Sequence, residues 1–113
     1  MSEAQVPNVT TASSSNRAGT VTVRATDQGM PVEISFERGE YRYGAQAVAD
    51  EILRLTKRSA IAAKARRREL LAEAGLPDDA LDRLGLPSRR AAVEALDLLD
   101  DADTGQTSWV KPV

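Results

Sequence analysis

Two runs separated by four residues, TVTVRAT at 20–26 and PVEISFE at 31–37, alternate apolar and polar side chains with a period of two. Between them stands Asp27-Gln28-Gly29, a turn whose glycine can take positive φ, and this arrangement predicts a β-hairpin. Val21, Val23 and Ala25 fall on one face of the first strand. Val32, Ile34 and Phe36 fall on one face of the second, with Glu33, Ser35 and Glu37 opposite. A hairpin with one apolar face is not stable alone in water, so the rest of the chain must supply a cover.

The cover is legible downstream. After a turn at Arg38-Gly39-Glu40, a long helix is predicted from near Gly44 to Gly75, a C′ glycine followed by Pro77. At 100° per residue, Ala45, Val48, Ala49, Ile52, Leu55, Ser59, Ala62 and Ala63 form one stripe, wide enough to lie on the hairpin's apolar face. The tail repeats a short phrase, GLPDDAL at 75–81 and GLPSRRA at 85–91. Each Leu-Pro stops a helix and each polar pair starts one, with Asp78 and Ser88 as caps, giving short helices near 78–84 and 89–101. The fold class is therefore α+β: a small antiparallel β-hairpin or sheet covered by one long α-helix, followed by short C-terminal helices.

Residues 1–18 are rich in Ser, Thr and Asn and read as a disordered tail, with a weak extra strand at Val9–Thr11 the one feature in it. The organisation is a tail over 1–18, hairpin plus helix over 19–75, an acidic helical segment over 76–103, and a flexible C-terminus over 104–113. That leaves roughly 80 residues for a core, where a lone domain is marginal, and a second copy of the chain is the expected remedy.

The 113 residues include no cysteine and no histidine. Disulfides, thiolate nucleophiles, Cys/His zinc sites and imidazole catalysis are excluded. Asp78-Asp79 and Asp100-Asp101-Asp103 lack calcium-loop spacing and read as surface charge. The glycines are scattered as turn and cap residues, with no phosphate-binding loop. The chain reads as a non-enzyme with no cofactor, no metal and no small-molecule substrate. No apolar run approaches the ~20 residues of a membrane span, and the N-terminus has no signal-peptide core. A cytoplasmic location without membrane contact is expected.

The net charge is -2, but its distribution is uneven. Between Gly44 and Ala74 seven basic residues stand against four acidic ones, and from Pro77 to Thr104 three stand against eight. A basic middle and an acidic tail suit self-association or self-masking. In AIAAKARRREL at 60–70, Lys64 and Arg68 join Arg54, Lys57 and Arg58 opposite the apolar stripe, while Arg66 and Arg67 fall on the stripe's side. The helix is therefore expected to outrun its sheet by Arg66. These seven side chains, Arg54, Lys57, Arg58, Lys64, Arg66, Arg67 and Arg68, are the candidate nucleic-acid contacts. They are suited to phosphates and not to sequence, since no aromatic, Asn or Gln is interleaved with them. Trp109 is the only Trp and reads either as a core plug or as an interface anchor.

The order GTVTVRATDQGMPVEISFE, a short link, then AQAVADEILRLTKRSAIAAKAR makes Gly19 to Glu69 resemble the YbaB/EbfC family of small bacterial proteins. GTVTV followed by QAVADEI and KAR, with a Ser/Thr-rich N-terminus and an acidic Leu-Pro tail, is more closely similar to the EspH-like proteins of mycobacterial type VII (ESX) secretion loci. That resemblance implies an actinobacterial α+β homodimer acting as a cytosolic adaptor or chaperone for secretion substrates. The wider family implies the alternative, a nucleoid-associated DNA-binding dimer. The sequence departs from that family where an N-terminal helix would stand, which here is Ser/Thr-rich. It also lacks the Tyr-x-x-x-Asp/Glu secretion signal, because Tyr41 and Tyr43 are each followed four residues on by Ala.

Two functions follow as expectations. The first is a protein-binding adaptor or chaperone associated with type VII secretion, its partner a secretion substrate or component. Its interface would be Leu70, Leu81, Leu84, Leu96, Leu99 and Trp109, or the hairpin edge. The second is a DNA-binding protein using the seven basic residues above.

Overall fold

The computed structural model describes residues 6–110, with side chains as far as Asp101 and excepting Tyr41. It is α+β. Three antiparallel strands in the order β1 (Thr11–Ser15), β2 (Val21–Thr26), β3 (Pro31–Phe36) lead through a 3-10 turn (Arg38–Tyr43) into α1 (Ala45–Glu73). Then come α2 (Asp78–Arg83) and α3 (Arg89–Val110).

The expected hairpin forms as β2 and β3, with Val21 opposite Phe36 and Val23 opposite Ile34. Its turn is organised by Thr26, whose Oγ1 accepts the N–H groups of Gln28 and Met30 at 3.1 Å each, while Gly29 takes a φ of 88°. A bulge falls between Arg24 and Ala25, where the pairing skips a residue on β3.

The segment expected to be a disordered tail contributes a strand. β1 pairs along β2 from Thr11↔Thr26 to Ser15↔Thr22, a different stretch from the weak one at Val9–Thr11. No apolar alternation marks TASSS, and the strand is held by polar groups at both ends. Asp27, itself buried, accepts the N–H of Thr10 at 3.0 Å and returns its own N–H to the Thr10 carbonyl at 2.9 Å. At the other end Asn16 Oδ1 accepts from the amides of Thr20 and Val21 at 2.8 and 3.1 Å, closing the β1–β2 turn.

α1 runs 29 residues, about 44 Å at 1.5 Å per residue, and lies across β1 and β2. Val48, Leu55, Ser59, Ala60 and Ala63 are buried, and Ile52 packs against the Val21–Val23–Leu55 cluster. Ser59 Oγ donates to the Val23 carbonyl at 2.9 Å, which lets a hydroxyl sit in the core without an unmet hydrogen bond. Ala45 and Ala49, assigned to the stripe by periodicity, are exposed, while Val48 between them is buried.

The expected C-terminus of α1 is found. Gly75 takes a φ of 109°, its N–H reaches the Ala72 carbonyl at 3.0 Å, and Leu76 N–H reaches the Leu71 carbonyl at 3.1 Å. The second half of the repeat does the same for α2, with Gly85 at φ 76°, Gly85 N–H on Asp82 and Leu86 N–H on Leu81. The repeated GLP phrase thus encodes two successive Schellman-type stops. Ser88 caps α3 through Ala91 N–H at 3.1 Å. Asp78 does not cap; it is the first residue of α2, behind Pro77. α3 reaches Val110, past its expected end at 101 and into the stretch 104–113 expected to be a flexible C-terminus.

Candidate binding surfaces

Periodicity puts Arg54, Lys57, Arg58, Lys64 and Arg68 of α1 opposite the apolar stripe, and Arg66 and Arg67 on the stripe's side. Four of the seven are held inside the molecule. Arg54 grips Glu51 one turn back, at 3.0 and 3.3 Å, and reaches Asp100 of α3 at 3.4 Å. Arg58 takes both oxygens of the same Asp100, at 2.8 and 2.9 Å. Arg68, only 12% exposed, donates to Asp82 at 2.8 Å and to the Leu86 carbonyl at 2.6 Å, with Asp78 at 3.5 Å. The basic strip is thus a docking rail for the acidic tail, a match of opposite charges 10 to 46 residues apart in sequence.

Arg66 is exposed, whereas Arg67 reaches back to residues just outside the ends of β1 and β2. Its Nη1 donates to the Pro7 carbonyl at 2.7 Å and to Thr10 Oγ1 at 3.2 Å, and its Nε lies 3.8 Å from Asp27. The guanidinium therefore clamps the start of β1 to the turn after β2. The remaining three, Lys57, Lys64 and Arg66, make no ion pair among the described residues, and they do not form a patch. Lys57 and Lys64, seven apart, lie within about 20° around the helix, whereas Arg66 lies about 160° from Lys64.

The candidate interface leucines divide. Leu81 is fully buried and is core under the α1–α2 junction, not interface. Leu70, Leu96 and Leu99 are half-buried, and Leu84 is exposed. Trp109 lies outside the described side chains.

The surface that periodicity missed is on the sheet. Facing residues of an antiparallel pair share a face, so Ile34 and Phe36 continue the row of Val23 and Val21. Yet Val21 and Val23 are 0% exposed, while Val32 is 48% and Ile34 44% exposed. The hairpin's apolar face was expected to lie wholly beneath the helix. With β1 added, β2 is the central strand, and α1 sits over β1 and β2 and leaves the β3 row open. An apolar row contiguous with the core is thus left in contact with solvent. The opposite face of the sheet is polar, with Arg24 and Glu33 paired at 3.1 Å.

Among the described residues no three of Asp, Glu, His and Cys come together in a way that could hold a metal ion. No helix there is long and apolar enough to cross a membrane. No family model, curated protein or solved structure matches the chain.

Proposed function

We propose that this chain is a non-enzymatic, cytosolic binding protein that works as a homodimer and recognises protein in preference to DNA. One contrast carries the reading. Four of the seven basic side chains of α1 are engaged by the protein's own carboxylates and carbonyls, while apolar side chains of the sheet's core-facing side remain in solvent. Binding DNA through Arg54, Arg58 and Arg68 would require displacing α2 and α3, and the gain from phosphate contact would be offset by those lost pairs. Binding protein through Val32 and Ile34 requires no such displacement and removes apolar area from water at about 25 cal/mol per Å². The resemblance of GTVTV, QAVADEI and KAR, with the Ser/Thr-rich N-terminus and the acidic Leu-Pro tail, to proteins of type VII secretion loci supports a secretion substrate or component as the partner, and an adaptor or chaperone role.

The test is photo-cross-linking in the native cytosol from a benzophenone side chain replacing Val32, with the same group replacing Lys57 as control. Besides any adduct to a second copy of the chain, the expected result is adducts at position 32 to secretion substrates or components, absent at position 57. Nucleic-acid adducts at position 57, with none to protein at position 32, would move the assignment to DNA.

A further inference from the structure

We infer that the homodimer forms through the open edge of β3, two copies pairing antiparallel about a two-fold axis at Ile34. The inference rests on the homodimeric reading above and names its contact strand. The direction of the backbone groups comes from the ladder. Glu37 N–H donates to the Thr20 carbonyl at 2.9 Å across β2 and β3. With Thr22 opposite Ser35 and Arg24 opposite Glu33, antiparallel alternation turns the polar groups of Ser35 and Glu33 toward β2. Those of Ile34 then point away from β2, to the edge that no strand among the described residues covers.

An edge of this kind, beside exposed apolar side chains, is a template for another strand. Charge and register select a second copy. A two-fold through Glu33 would set Glu33 against its own copy, and one through Ser35 would set Glu33 against Glu37; facing like charges are destabilising. The axis at Ile34 sets Glu33 against the partner's Ser35 and Ile34 against the partner's Ile34. The two isoleucines then exchange both backbone hydrogen bonds, and their side chains meet on the apolar face. Pro31 and the adjacent bulge confine regular pairing to Glu33–Phe36, so the seam is short and its register is fixed at one place. β1, the other edge strand, carries only Thr, Ala and Ser and offers no such row.

The test uses the full chain. Light scattering behind size exclusion should give twice the 12.2 kDa chain mass. Ile34→Pro removes an N–H that the protomer's own ladder does not use, a substitution edge strands accept. It should return the mass to 12.2 kDa while leaving the far-UV circular dichroism unchanged. A second variant is independent of how proline is tolerated. The chain has no cysteine, so Ile34→Cys can cross-link only to its own copy. Facing Cα atoms in a hydrogen-bonded pair lie about 5.5 Å apart, within disulfide reach. Ile34→Cys should form a covalent dimer on mild oxidation, and Val32→Cys, four residues out of register with its own copy, should not. Equal cross-linking by both variants would overturn the register. A dimer that survives Ile34→Pro and gives no Ile34→Cys cross-link would overturn the seam and leave the dimeric reading standing. A 12.2 kDa mass at every concentration would overturn both.

Discussion

Arg68→Ala separates a structural rail from a nucleic-acid face, because the two readings assign its side chain different work. In the fold it joins α1 to both ends of α2, through Asp78 and Asp82 on one side and the Leu86 carbonyl on the other. The two carboxylates are largely in solvent, so each pair is worth at most about 1 kcal/mol. The carbonyl is different. Leu86 is 7% exposed, and its oxygen would lose a donor at 2.6 Å that water cannot readily replace, at a cost of about 1–2 kcal/mol. The sum is about 2 kcal/mol, or a fall in Tm of roughly 10 °C for a domain of this size. Urea denaturation followed by circular dichroism measures it, with Lys57→Ala as a control expected within about 0.5 kcal/mol of wild type. Equal, negligible losses for both variants would refute the rail and return Arg68 to the solvated surface.

Three further predictions follow from the packing. Leu81→Ala empties a fully buried site at the α1–α2 junction and should cost about 2–4 kcal/mol by thermal or chemical denaturation. Asp27→Ala removes the acceptor for Thr10 N–H and the carboxylate beside Arg67; hydrogen exchange should show Thr11–Ser15 amides losing protection by about tenfold or more, with α1 amides little changed. Gly75→Ala forces a side chain into a backbone at φ 109° and should lower stability by about 1 kcal/mol in the same denaturation assay, although nothing crowds the added methyl.

The hairpin, the long helix and its end at Gly75 were legible because each rests on a local rule: period-two alternation, a broad 3.6-residue stripe, and a glycine at C′. β1 was not legible. Its residues, Thr, Ala and Ser, carry no periodic apolar signal, and what holds it is the far end of the next strand, Asp27 and Arg67, contacts 17 and 57 residues away. Missing β1 displaced the centre of the sheet by a strand. That is why Ile34 and Phe36 were expected beneath α1 and why the open β3 row went unseen. Charge shows the same division. Helical projection gives an angle for each arginine, but the use of Arg54, Arg58 and Arg68 depends on Asp78, Asp82 and Asp100, whose placement depends on where two Gly-Leu-Pro stops turn the chain. The excess of acid after Pro77 was the one sequence signal of that docking.

The most direct test of the central claim, that α1 presents its own tail and not DNA with its basic strip, is fluorescence anisotropy of random-sequence duplex DNA titrated with the full chain across a salt series. No saturable binding is expected at about 0.15 M salt, and binding should emerge in Asp78/Asp82/Asp100→Asn, where the arginines of the strip are released. Micromolar binding by the wild-type chain, steeply weakened by salt and lost in Lys57/Lys64/Arg66→Ala, would contradict it.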